Sequence, residues 1–255
     1  MGADLKEGKY IYCIIEANQP RTFGPLGIGG RCDELHTVCF NDIAAVVSNA
    51  PIRKYTLSRE NSLAHERAIE KVMAEYTVLP VRFATVAEDE EKTRRILQKE
   101  YDRFRDLLDR MRGKKELGLK AIFKEDAIYR DILQKYEHIR LLKEKLAALQ
   151  PERTHYQRME IGRMVEEALQ KEKGIIRDYI LSCLCTLAVE DRTNDTYGEL
   201  MILNAAFLVE KEKEPEFDQQ VHKLVDEFGE KTRFNYVGTV PPFNFVNLVI
   251  DTANY

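Results

Sequence analysis

The chain has 255 residues, 44% hydrophobic and 32% charged, enough apolar material for one large domain or two modest ones with real cores. Lys+Arg 39 against Asp+Glu 43 gives a formal net charge of −4, which excludes the basic excess of a general nucleic-acid binder and the polybasic signal for anionic membranes. No apolar run approaches the ~20 residues that span a bilayer, and the opening MGADLKEGKY lacks the basic-then-apolar order of a secretory signal, so the chain is expected in the cytoplasm.

In chain order, residues 10–16 (YIYCIIE) are β-branched and aromatic and predict a buried strand. A loop with Pro20, Gly24, Pro25, Gly27, Gly29 and Gly30 follows. Residues 35–40 and 43–48, either side of Asn41-Asp42, predict a tight hairpin. Residues 57–76 carry Ala64, Ala68, Ile69, Val72, Met73 and Tyr76 at helical spacing, with Thr56 or Ser58 as N-cap. Residues 78–86 (VLPVRFATV) predict a strand that Pro80 confines to a sheet edge or a strand start. The stripe Ile96, Leu97, Tyr101, Phe104, Leu108 and Met111 predicts one helix over 89–111, ended by Gly113. The first domain is thus a β-ββ-α-β-α unit over 1–113.

The second domain is expected over 114–255. It opens with a strand at 116–123, followed by two long helical stripes. One runs from Ile128 to Leu149; the other opens at Pro151 and passes through Met159, Val165, Leu169, Ile176, Ile180 and Leu184. Spacings of three and four on both predict a helical hairpin over about 125–185 that packs like a coiled coil. Strands at 186–194 and 200–209, a helix through Phe217, Val221, Leu224 and Phe228, and a last strand at 232–240 complete the set. The fold class is therefore α+β in two domains, each a small sheet bearing helices. The second is expected to be ferredoxin-like (βαββαβ) with the hairpin inserted in its first crossover.

A search for chemistry finds no catalytic set. The glycines of 24–30 match neither dinucleotide- nor P-loop spacing, and a strand rather than a helix follows, so a flexible connecting loop is expected. His65-Glu66 lacks the second histidine of H-E-x-x-H, since Ile69 stands there; a solvated helix face is expected instead. No G-x-S-x-G occurs. The five cysteines, Cys13, Cys32, Cys39, Cys183 and Cys185, are odd in number and scattered, which suits reduced thiols. No catalytic residue, metal ligand or cofactor site is assigned. Two stretches remain chemically odd. Arg82 interrupts the apolar run Val78, Leu79, Pro80, Val81, Phe83 and must reach solvent or pair with a carboxylate. Near the C-terminus, the paired prolines of PPFNF hold an extended backbone that either displays Phe243 and Phe245 or seals them into the core.

Taken together, YIYCIIE, the hairpin ending DIAAVVS, His65-Glu66-Arg67 leading to VLPVRF, IGRMVEEAL, LNAAFLV and the terminal PPFNFV resemble the gas vesicle protein F/L family from end to end. Two departures stand out: Ala84 where the family often has Gly, and Gly238-Thr239-Val240 where a Gly-Pro pair is usual. The resemblance implies a non-catalytic accessory protein of gas vesicles, with two α+β domains. Its implied partners are the hydrophobic small shell protein and other gas vesicle accessory proteins, with neither nucleic acid nor membrane bound. Because such a shell subunit exposes apolar surface before assembly, a partner that covers it would suppress aggregation. The rival expectation is a ferredoxin-like small-molecule-binding regulator or enzyme. The partner contact is expected on the first domain, at 78–85 and the 24–30 loop, in preference to the PPFNF tail.

Overall fold

The computed structural model describes residues 6–147, 149 and 154–252, which form two sheets with helices packed on them. The chain divides into two compact units, one built from residues up to 116 together with those from 239 onward, the other from 117–238. The expected division at 113/114, with the second domain running to the C-terminus, differs from this in one important respect. Phe245, Val246, Leu248 and Ile250 are buried, and Leu248 bridges to Val81, so the tail is part of the first unit.

The first unit holds β1 (Glu7–Glu16), β2 (Thr22–Pro25), β3 (Glu34–Phe40), β4 (Ile43–Pro51), β5 (Val78–Pro80) and β6 (Val86–Ala87) in the order β2-β3-β4-β1-β5, with β6 also on β1. Tyr10, Ile11, Tyr12, Cys13, Ile14 and Ile15 are all fully buried, because helices cover both faces of β1. Helix α1 (Arg59–Met73) packs with Tyr10, Tyr12, Cys13 and Ile15. Helices α2 (Glu90–Lys99) and α3 (Tyr101–Met111) contact the same sheet from the other side. A bulge in the β1–β4 register, between Ile11 and Cys13, explains how residues 10, 12, 13 and 15 share one face. The extra residue shifts the period-two alternation by one. Asn41, at φ +53, and Asp42 form the two-residue turn between Phe40 and Ile43, as the sequence predicts. Ser58 caps α1 by accepting from the Asn61 N–H at 3.2 Å.

The single helix expected over 89–111 is two, broken at Glu100, where the backbone leaves the helical region (φ −99, ψ 11). Gly113, at φ +71, follows the end of α3 in a conformation that a side chain would disfavour.

The second unit comprises β7 (Lys114–Phe123), α4 (Glu125–Lys135), α5 (Glu137–Ala147), α6 (His155–Leu184), β8 (Glu190–Thr193), β9 (Met201–Glu210), a 3-10 turn (Lys211–Lys213), α7 (Glu214–Phe228) and β10 (Thr232–Val240), with sheet order β10-β7-β9-β8. Its core joins Leu117, Leu119 and Ala121 of β7 with Ile176 and Ile180 of α6, Leu203 and Phe207 of β9 and Phe217 of α7. Phe207 and Phe217 lie 5.2 Å apart between ring centroids. The first long helical stripe is also two helices, α4 and α5, separated at Tyr136 (φ −106, ψ 77). The break has a purpose in packing. Tyr136 Oη donates to the buried Glu172 carboxylate at 2.8 Å, and Lys135 Nζ donates to it at 2.7 Å. Burial alone would raise the Glu172 pKa, but those donors outweigh it and hold it low. The helix start expected at Pro151 lies outside the described residues.

Candidate functional site

The strand expected over 78–86 is not continuous. β5 pairs with β1 in the register Cys13–Pro80, Ile14–Leu79 and Ile15–Val78, and it is the outermost strand on that side, as Pro80 implied. Val81 then donates its N–H to Tyr12 O at 2.9 Å, and Arg82 donates to Leu248 O at 3.0 Å, so the chain's own tail lies beside this edge. At Ala84 the backbone turns to φ +66, and the extended run ends. Three bonds fix the turn. Ala84 N–H reaches Tyr10 Oη at 2.8 Å, Thr85 Oγ1 donates to Arg82 O at 2.7 Å, and Ile11 N–H reaches Thr85 O at 2.9 Å. The position where the resembling family often has glycine is thus a left-handed one, and here alanine occupies it under strain.

Behind this turn sits His65, 4% exposed rather than on a solvated face. Its Nε2–H donates to Val81 O at 3.2 Å, and its Nδ1 accepts from Tyr10 Oη at 3.1 Å. Since a carbonyl can only accept and Tyr10 Oη already accepts from Ala84, the neutral imidazole satisfies every partner. Burial lowers the His65 pKa to about 4, and burial likewise lifts that of Tyr10 above the usual tyrosine range. Tyr12 stacks on the imidazole at 5.7 Å, Phe83 meets it edge-on at 5.7 Å, and Phe243 lies at 6.4 Å.

The tail supplies the opposite wall. Pro242 O accepts from Phe245 N–H at 3.2 Å and from Val246 N–H at 2.9 Å, closing a turn. Glu116, itself buried, holds that turn from below, accepting from the Asn244 N–H at 3.0 Å and from its side-chain amide at 2.5 Å. Burial raises the Glu116 pKa against the lowering effect of those two bonds. The turn separates the two rings: Phe245 is 5% exposed and belongs to the core, whereas Phe243 is 42% exposed.

Between the walls lies a depression of about 470 Å³ in which residues 80–83 and His65 face Phe243 and residues 246–249. The two stretches weighed as alternative contacts therefore form one surface. Of the expected contact residues, Val78, Leu79, Pro80, Val81 and Phe245 are buried and cannot offer side chains; Arg82, Phe83 and Phe243 can. The 24–30 loop is not a loose connector, because Ile28 is buried and its N–H donates to Tyr12 Oη at 2.8 Å. His65, Glu116 and Asn244 were missed as organisers. For His65 the signal was available: it precedes Ala68, Ile69 and Val72 at helical spacing and so shares their buried stripe.

Among the described residues no three His, Cys, Asp or Glu side chains gather as a metal site, no helix is long and apolar enough to cross a membrane, and all five cysteines are free thiols.

A chain of two such α+β units has solved counterparts. The crystal structure of the gas vesicle protein GvpF from Anabaena sp. PCC7120 matches with a TM-score of 0.80 at 27% identity, over 96% of this chain and 100% of that one. The GvpF structure from Microcystis aeruginosa gives 0.74 at 26%, over 94% and 99%. In sequence, gas vesicle protein F of Dolichospermum flosaquae is 26% identical over 94% of this chain and 97% of its own. The family model described as gas vesicle synthesis protein GvpL/GvpF matches residues 8–247. The chain belongs to the GvpL/GvpF family.

Proposed function

We propose that this protein is a non-catalytic accessory factor of gas vesicle assembly that binds the hydrophobic small shell protein and holds it for ordered incorporation into the wall. The observation that carries the reading is the depression at 80–83 and 243–249. It presents half-exposed aromatic and aliphatic side chains on a rigid base, the form of surface that covers an apolar partner. Family membership supplies the vesicle context, and other accessory proteins are the second class of partner. The test is co-purification of the full chain with the small shell protein. Retention by the parent, lost on combined Phe83→Ala and Phe243→Ala with the fold intact by circular dichroism, supports the reading. Equal retention by parent and double variant places the contact elsewhere, and no retention by either refutes shell-protein binding.

A further inference from the structure

The depression carries one formal charge. Arg82 is exposed on its rim, and among the described residues its guanidinium makes no hydrogen bond or ion pair. Arg31 pairs with Glu7 and Asp33, Arg105 with Glu16 and Asp42, and Arg112 with Glu16 and Asp109, whereas Arg21, Arg59, Arg67 and Arg95 are, like Arg82, without a side-chain pair among the described residues; of these five only Arg82 lines the depression. The Arg82 main chain, by contrast, is locked at both ends, its N–H on Leu248 O and its carbonyl under Thr85 Oγ1. The strained turn at Ala84 then fixes the direction in which the next residues leave. A rigid base therefore presents a free guanidinium among apolar neighbours.

Docking any apolar segment over these residues strips water from that cation. An unpaired desolvated charge is costly, so a wholly apolar occupant is penalised at this spot, whereas one that brings a carboxylate converts the penalty into a charge-assisted pair. We propose that Arg82 is the anchor for a carboxylate on the partner. The occupant is a stretch of the shell protein with an aspartate or glutamate between apolar side chains, which lie against Phe83, Phe243 and Val249. This rests on the reading of the depression as the shell-protein contact and adds the chemistry that selects which stretch enters. The planar fork of Arg82 also fixes the direction of the docked segment, because it takes a carboxylate in two parallel bonds.

The test compares binding of the purified small shell protein to full-length parent, Arg82→Gln, Arg82→Lys and Arg82→Glu. Glutamine should weaken binding roughly tenfold or more, lysine should restore part of it, and glutamate should abolish it. The thermal midpoint of the glutamine variant should match the parent, because the guanidinium makes no internal bond. Replacing each acidic residue of the shell protein by its amide in turn should reveal one substitution that weakens binding to the parent and has no further effect on Arg82→Gln. Unchanged affinity for Arg82→Gln, with binding still lost in the Phe83/Phe243 double variant, overturns the carboxylate anchor and leaves the functional reading standing. Failure of the parent to bind removes both.

Discussion

Acidification should destabilise the first unit through His65. Its pKa lies at about 4 in the folded chain against 6.5 for a free imidazole, so between those values the unfolded chain takes up a proton that the folded chain refuses. A basic group depressed in this way contributes its full stability above pH 6.5 and loses it as the pH falls. At ~1.36 kcal/mol per pKa unit, lowering the pH to 5 removes about 2 kcal/mol, and passing below 4 removes about 3 kcal/mol. The cause is burial, and the hydrogen-bond geometry offers the second proton no free acceptor. A second proton on Nδ1 would point at Tyr10 Oη, which already accepts from Ala84 and would have to stop donating to His65. Glu116 acts in the opposite sense, since its raised pKa adds stability as the pH falls, so the His65 contribution must be isolated by difference. Urea unfolding of the parent and of His65→Gln at pH 7.5 and pH 5 does this: the parent should lose about 2 kcal/mol more than the variant between the two. NMR titration of the parent imidazole gives a second reading independent of the variant. A His65 midpoint between 6 and 7, or equal losses in parent and variant, would refute the argument.

Two further outcomes follow from packing and backbone conformation. Ala84→Gly should stabilise the chain by about 0.5–1 kcal/mol, since relief of the left-handed strain exceeds the added freedom of the unfolded chain; a lower thermal midpoint would contradict the strain. Phe207→Ala, at a fully buried ring against Phe217, should cost about 3–5 kcal/mol in equilibrium unfolding, and a loss under 1 kcal/mol would mean that the second core is not organised around it.

The sequence displays what depends on local pattern. The β1 run, the Asn41-Asp42 hairpin, the α1 stripe and the largely apolar β9 announce themselves through composition, period, capping residue or turn chemistry. The helix breaks at Glu100 and Tyr136 do not, because the apolar stripe continues across each; at Tyr136 the partner at the break, Glu172, is distant in sequence. The bulge after Ile11 is hidden for the same reason, since an unbroken apolar strand looks alike in either alternation. At the candidate site both odd stretches were visible, Arg82 as a charge in an apolar run and Phe243 beside paired prolines. That they meet was not visible, since 160 residues of chain lie between them and only the burial of the tail joins them. Ala84 shows the limit most clearly. Nothing in an alanine signals a left-handed turn, and the bonds that fix it include two to β1 residues more than seventy positions earlier, Tyr10 and Ile11.

Because residues 239 onward complete a unit whose first strands lie near the N-terminus, the order of synthesis matters. The whole of 117–238 leaves the ribosome before the wall formed by Phe243 and Val249 exists, so a nascent chain carries Arg82 and Phe83 without the surface opposite them. On the function proposed above, capture of an apolar partner through this depression would wait until translation has passed the tail.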